Sequence, residues 1–135
     1  MNFDDFVKSV VKQDDRNKFL KSANIPKTVP KNCIEFYRKY DPVDVEVTLS
    51  DLTSVKFCTL SSIDEVNSIY ELGKDCFIFA TREGDPIFIK GGHVYTWTHG
   101  STNMNFDKIA ESFEKYIELL YNELENSEIC KNSLD

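Results

Sequence analysis

Long apolar runs, an excess of positive charge and paired cysteines are all missing from this sequence. No stretch approaches the roughly 20 apolar residues needed to cross a bilayer. The opening MNFDDFVKSV has acids where a secretory leader carries positive charge, so the chain is expected in the cytoplasm, away from membranes. Lysine and arginine total 16 against 23 aspartates and glutamates, a formal charge of −7. Nucleic-acid binding rests on a basic stripe that neutralises phosphates, so that class of partner is excluded. The acidity suits a basic protein partner, and it also serves plain solubility. The four cysteines, Cys33, Cys58, Cys76 and Cys130, form no C-x-x-C pair and have no histidine beside them. A structural zinc site therefore has nothing to build on. Three of the four lie in apolar runs, where a reduced cysteine acts as a small core residue.

Catalytic signatures are missing too. There is no G-x-S-x-G elbow, H-E-x-x-H helix, P-loop or G-x-G-x-x-G. His93 and His99 lie on every second residue with Tyr95 and Trp97, in the stretch GDPIFIKGGHVYTWTHG. Six residues of extended strand span roughly 20 Å, whereas zinc binds nitrogen at about 2 Å. One ion cannot hold both rings unless the strand bends back. No catalytic residue, metal ligand or cofactor is assigned. The stretch is first a strand, with large amphipathic rings on the side that packs or faces a partner.

What is present suits one domain spanning residues 1–135, with 41% hydrophobic and 13% aromatic residues. A chain this long buries enough surface to fold without disulfides. Phe3, Phe6, Val7 and Val10 repeat at helical spacing behind Asn2, a candidate N-cap. Phe19 and Leu20 suggest a further helical turn, making residues 1–24 a helical N-terminal part. After the proline-bearing connector SANIPKTVPK, Pro30 opens a helix over Lys31–Tyr40, which Asp41-Pro42 ends.

The period then changes to two. Val43, Val45, Val47 and Leu49 alternate with polar residues as one half-buried strand, and Val55–Leu60 is a second. Ser62 and Glu65 have capping-box spacing for a short helix that Gly73 closes. Cys76–Ala80, apolar on both faces, belongs at the centre of the sheet. Pro86–Lys90 and His93–Thr98 complete a meander through turns at Arg82–Asp85 and Gly91-Gly92. Phe106, Ile109, Ala110, Phe113, Ile117, Leu120 and Leu124 form one stripe, predicting a long helix capped by Asn105. Residues 25–125 are the core, and 126–135 a tail expected to fray. The expected fold is α+β: a central, mainly antiparallel sheet of about five or six strands, flanked by N-terminal helices and a long C-terminal helix.

Three segments together resemble a known family. VPKNCIEFYRKYDP, FIFATREGDPIFIKGGHVYTWTHG and FDKIAESFEKYIELL are similar to the opening helix, central meander and closing helix of the SUKH superfamily, the Smi/Knr-type domains. The resemblance covers roughly Ile25–Leu120. Val29 stands where the family has leucine, and Asp41-Pro42 where it often has an asparagine-glycine turn. The family's recurrent positions fall on Pro30, Phe36, Tyr40, Gly84, Asp85, Val94 and Tyr95, read as determinants of the fold. The resemblance implies a binding protein without chemistry of its own. Bacterial members are immunity proteins that block a polymorphic toxin domain, often a nuclease or deaminase, by direct contact. A regulatory scaffold for an endogenous partner is the alternative, and a small hydrolase a more distant one. A nuclease presents a cationic surface, so an inhibitor gains from an acidic patch. The densest candidate is DPVDVEVTLSD, with Asp41, Asp44, Glu46 and Asp51; such charges also guard sheet edges. Tyr95 and Trp97 are the candidate aromatic anchors. Oligomeric state is left open.

Overall fold

The computed structural model describes residues 2–22, 24–103 and 105–134, with side chains described as far as residue 126. Among the described residues there are four helices, and eight strands in two antiparallel sheets: an α+β fold. Helix α1 (Phe3–Gln13) begins where the Asn2 side chain accepts from the Asp4 N–H at 2.8 Å. Asp4 and Asp5 complement the positive end of the helix, and Phe6 and Val10 are buried.

Strand β1 (Lys18–Leu20) replaces the expected second helical turn and pairs with β2 (Asp41–Asp44) in a two-stranded ribbon. Three residues are too few to nucleate a helix, whereas an extended Phe19 sets its ring against Phe36 and Tyr40, 6.5 and 5.9 Å away. Helix α2 (Lys31–Lys39) starts after Pro30 and ends as expected, with the Tyr40 N–H on the Phe36 carbonyl at 2.9 Å.

The main sheet has the order β3-β4-β5-β6-β7-β8, every neighbour antiparallel. Its strands are β3 (Glu46–Thr48), β4 (Ser54–Phe57), β5 (Phe77–Arg82), β6 (Asp85–Lys90), β7 (His93–Thr96) and β8 (Asp107–Ala110). The single alternating strand expected over Val43–Leu49 is thus two, shared between the ribbon and the sheet. Val45, Val47 and Leu49 point inward, while Val43 is 38% exposed. An unbroken alternation does not show that the partner changes at Asp44.

Helix α3 (Ile63–Tyr70) forms where a capping box was expected, but the Ser62 hydroxyl bonds Thr59 at 2.8 Å instead of capping. The left-handed residue that closes α3 is Glu71, at φ 51°, two positions before Gly73. A larger correction concerns the closing helix. Helix α4 runs Phe113–Leu134, and the residues expected to begin it form β8. The Ser112 hydroxyl, not Asn105, caps it by accepting from the Lys115 N–H at 3.1 Å. From Phe113 the stripe holds: Phe113, Ile117, Leu120 and Leu124 are all buried. The segment expected to fray continues this helix to Leu134.

Phe79 centres the core. Its ring lies 6.2 Å from Phe57, 5.1 Å from Phe113 and 5.7 Å from Tyr116. Phe57 in turn meets Phe6 of α1, and Phe113 meets Phe36 of α2. Helices α1, α2 and α4 therefore cover the Phe79 face of the sheet.

Three side-chain amides stand in for strands where a ladder stops. An amide offers one acceptor and two donors, the groups a neighbouring strand would present. Gln13 donates to the Thr48 carbonyl at 2.7 Å and accepts from the Thr48 N–H at 2.9 Å. Asn17 accepts from the Glu46 N–H at 2.9 Å. Asn67 does the same for Ile78 beyond the end of β4, at 2.7 Å for the N–H and 3.0 Å for the carbonyl.

Candidate functional site

Two tight turns set the geometry of the β5–β7 meander. Glu83 and Gly84 have φ of 50° and 86°, and Gly91 and Gly92 have 58° and 82°. Paired left-handed residues of this kind match the twist of a two-residue hairpin. The resulting register puts Ile78, Phe88 and Tyr95 opposite one another across three strands. They share the face away from Phe79.

On that face Phe88 is fully buried because other rings cover it. Tyr95 stacks on it with centroids 6.0 Å apart, and Phe106 meets it edge-on at 4.8 Å. The Lys90 ammonium sits 5.4 Å from the Phe106 ring centre. Trp97, just past β7, donates its indole N–H to the Asn103 carbonyl at 2.7 Å and so ties down the connection to β8. Tyr95, Trp97 and Phe106 are each partly exposed and packed on the core.

The two histidines serve different partners. His93 Nδ1 lies 2.8 Å from the Glu111 carbonyl oxygen, which can only accept, so this nitrogen carries the proton. His99 Nδ1 lies 2.6 Å from the Asp85 carboxylate, which also accepts the His99 backbone N–H at 3.0 Å. A Cβ on Gly84 would come within 3.0 Å of the His99 ring. The glycine-aspartate step of the family resemblance thus has a local task here. The glycine makes room for His99 and the aspartate holds it. The Tyr70 hydroxyl, on the Gly84 carbonyl at 2.7 Å, pins the same turn. Asp85 and His99 both lie in the segment FIFATREGDPIFIKGGHVYTWTHG, but 14 positions of separation give no sequence signal that the turn sets one against the other. Among the described residues no hydroxyl or thiol is hydrogen-bonded to either imidazole, and no group of three or more His, Cys, Asp or Glu is placed to hold a metal.

The other positions named in the resemblance lie as follows. Pro30 precedes α2, and Phe36 and Val94 are fully buried. Tyr40 donates its hydroxyl to Asp4, and that bond to a carboxylate pushes the phenol up to about 12. Cys33, Cys58 and Cys76 are free thiols, and burial raises all three, Cys58 to about 12. A thiol that stays protonated is a poor nucleophile and metal ligand. The side chain of Cys130 lies outside the described residues.

The four candidate acids face different partners. Asp41 accepts from the Leu60 N–H at 2.9 Å and helps hold the β4–α3 loop. Asp44 stands across the ribbon from Lys18, and Glu46 across the sheet from Lys56. Asp51 bonds Thr53 and pairs with Arg82 at 2.7 Å, and these contacts hold its carboxyl below the usual range. Glu46 on β3 and Tyr95 on β7 are four strand spacings apart, about 19 Å. The structure therefore separates the acidic candidates from the aromatic ones.

No family model, curated protein or solved structure matches this chain. Among the described residues, no helix is long and apolar enough to cross a membrane.

Proposed function

We propose that this chain is a cytoplasmic immunity-type protein, which neutralises a bacterial toxin domain such as a nuclease or deaminase by direct contact. The observation that carries the reading is the partly exposed aromatic strip of Tyr95, Trp97 and Phe106 on the sheet face opposite α1, α2 and α4. Large rings held by a hairpin, with Trp97 tied further by its indole hydrogen bond, lose little freedom on docking, and such residues dominate affinity in protein interfaces. Fully buried Phe88 beneath Tyr95 and Phe106 gives that part of the strip a rigid floor. The resemblance to the SUKH superfamily supplies the kind of partner.

The test is co-expression of this chain with a panel of nuclease and deaminase toxin domains, including any encoded beside it. Protection of the cells, together with a stoichiometric complex that Trp97→Ala weakens, is the expected result. Failure to protect against any toxin, with no complex in pull-down, would overturn the reading.

A further inference from the structure

The six-stranded sheet ends differently at its two edges. At β3 the Thr48 N–H and carbonyl are already taken by the amide of Gln13, and the Glu46 N–H by that of Asn17, at 2.7–2.9 Å. Three of that edge's outward backbone groups are thus occupied, which blunts it against further pairing. At β8 the ladder runs to β7 alone, and among the described residues nothing pairs with its outer side. The open edge borders a groove of about 520 Å³ between β8 and α4. Ile109 and Ala110 line it from the strand, and Leu119, 53% exposed, lines it from the helix. An unpaired strand edge has one natural complement, which is another strand.

Charge selects whose strand it is. The chain as a whole carries −7. Along this strip, by contrast, Lys108 pairs with Glu111 at 2.7 Å and Lys115 with Glu118 at 3.4 Å. A two-fold axis sets a patch against its own copy, which an acidic patch resists and a balanced one permits. Antiparallel pairing also runs the Lys108 end of one strand beside the Glu111 end of the other. Charged side chains on an edge usually deter stray strands; here their mixed signs favour the same strip reversed.

We propose that β8 and its groove form an isologous dimer interface. A second copy adds its β8 antiparallel to the first, joins the two sheets into one, and covers Leu119 of each chain.

Sedimentation equilibrium of the full chain, from low to high micromolar concentration, tests this. A reversible dimer is expected. Lys108→Glu with Lys115→Glu, and separately Glu111→Lys with Glu118→Lys, should each weaken it by roughly tenfold or more, and an equimolar mixture of the two should restore it as a heterodimer. Hydrogen exchange of the wild-type chain gives a second readout that needs no variant. Amides of residues 107–110 should gain protection as concentration rises, while those of β3 stay constant. A monomer at every concentration would overturn the proposal. So would a dimer indifferent to both charge swaps, or one that leaves β8 exchange unchanged.

Discussion

Replacing Asn67 with alanine isolates the value of a side chain that substitutes for a strand. Its carboxamide makes three hydrogen bonds, to the Ile63 carbonyl at 2.8 Å, the Ile78 carbonyl at 3.0 Å and the Ile78 N–H at 2.7 Å. Ile78 is 1% exposed, so its two backbone groups have little water to turn to. A buried polar group left without a partner costs about 1–3 kcal/mol. Two such groups, with some relaxation, put the loss at about 2–3 kcal/mol. At roughly 4 °C per kcal/mol for a domain of this size, Tm falls by about 8–12 °C. Gln13→Ala is the matched control, because it removes the same paired geometry from exposed Thr48. Water replaces those bonds, and the expected loss is about 0.5–1 kcal/mol. Asn67→Asp adds a test of sign. It keeps the acceptor but sets a carboxylate against two carbonyl oxygens, which raises its folded pKa. A raised folded pKa means stability present below the unfolded value of about 3.9 and lost as pH rises through the folded value. Relative to wild type at each pH, the aspartate variant should therefore recover in acid. Urea denaturation of the variants measures all of this. Equal losses for Asn67→Ala and Gln13→Ala, or an Asn67→Ala loss below about 1 kcal/mol, would refute the reasoning.

Other perturbations separate the site from its scaffold. Phe79→Ala should cost about 3–5 kcal/mol in chemical denaturation, because it empties the contact of Phe57, Phe113 and Tyr116. Gly84→Ala should cost about 1–2 kcal/mol and shift the His99 ring resonances, since φ is 86° and the new methyl meets that ring at 3.0 Å. Against a cognate toxin, Trp97→Ala should weaken binding by about tenfold or more. Asp44→Lys with Glu46→Lys should change the association rate less than roughly threefold, because Lys18 and Lys56 already oppose those acids. Stopped-flow binding at low and high salt distinguishes the two. Native-state alkylation followed by mass spectrometry should leave Cys33 and Cys58 unmodified through pH 9, their thiols held protonated by burial.

The parts of this fold legible in the sequence are those where one pattern admits one structure. CFIFA, apolar on both sides, needs cover on both sides, and it forms the central strand β5. The paired glycines of Gly91-Gly92 fit a two-residue hairpin and form one. Strand β8 was hidden because the spacing of Phe106, Ile109 and Ala110 suits a helical stripe and a bulged strand equally. Only pairing with β7 decides between them. The ribbon of β1 and β2 is not legible because strands of three and four residues carry too little pattern. In the candidate site, Tyr95 and Trp97 could be placed together, but the distance to Asp44 and Glu46 depends on strand order. The contacts of Gln13, Asn17 and Asn67 have no sequence signature, since a polar amide in a helix or loop is equally at home in water.

The six strands of the main sheet lie side by side in the order in which the chain is made. Helix α1, however, packs on α4, and Ser9 reaches Glu125 across 116 positions at 2.5 Å. At a synthesis rate of about 5–20 residues per second, α1 waits roughly 5–20 s for that partner. Gln13 meets Thr48 only 35 positions later, so it can seal β3 early in that interval. A nascent chain stalled before Phe113 would therefore hold a guarded sheet edge beside an apolar face still missing its α4 cover, a form suited to chaperones before any other partner.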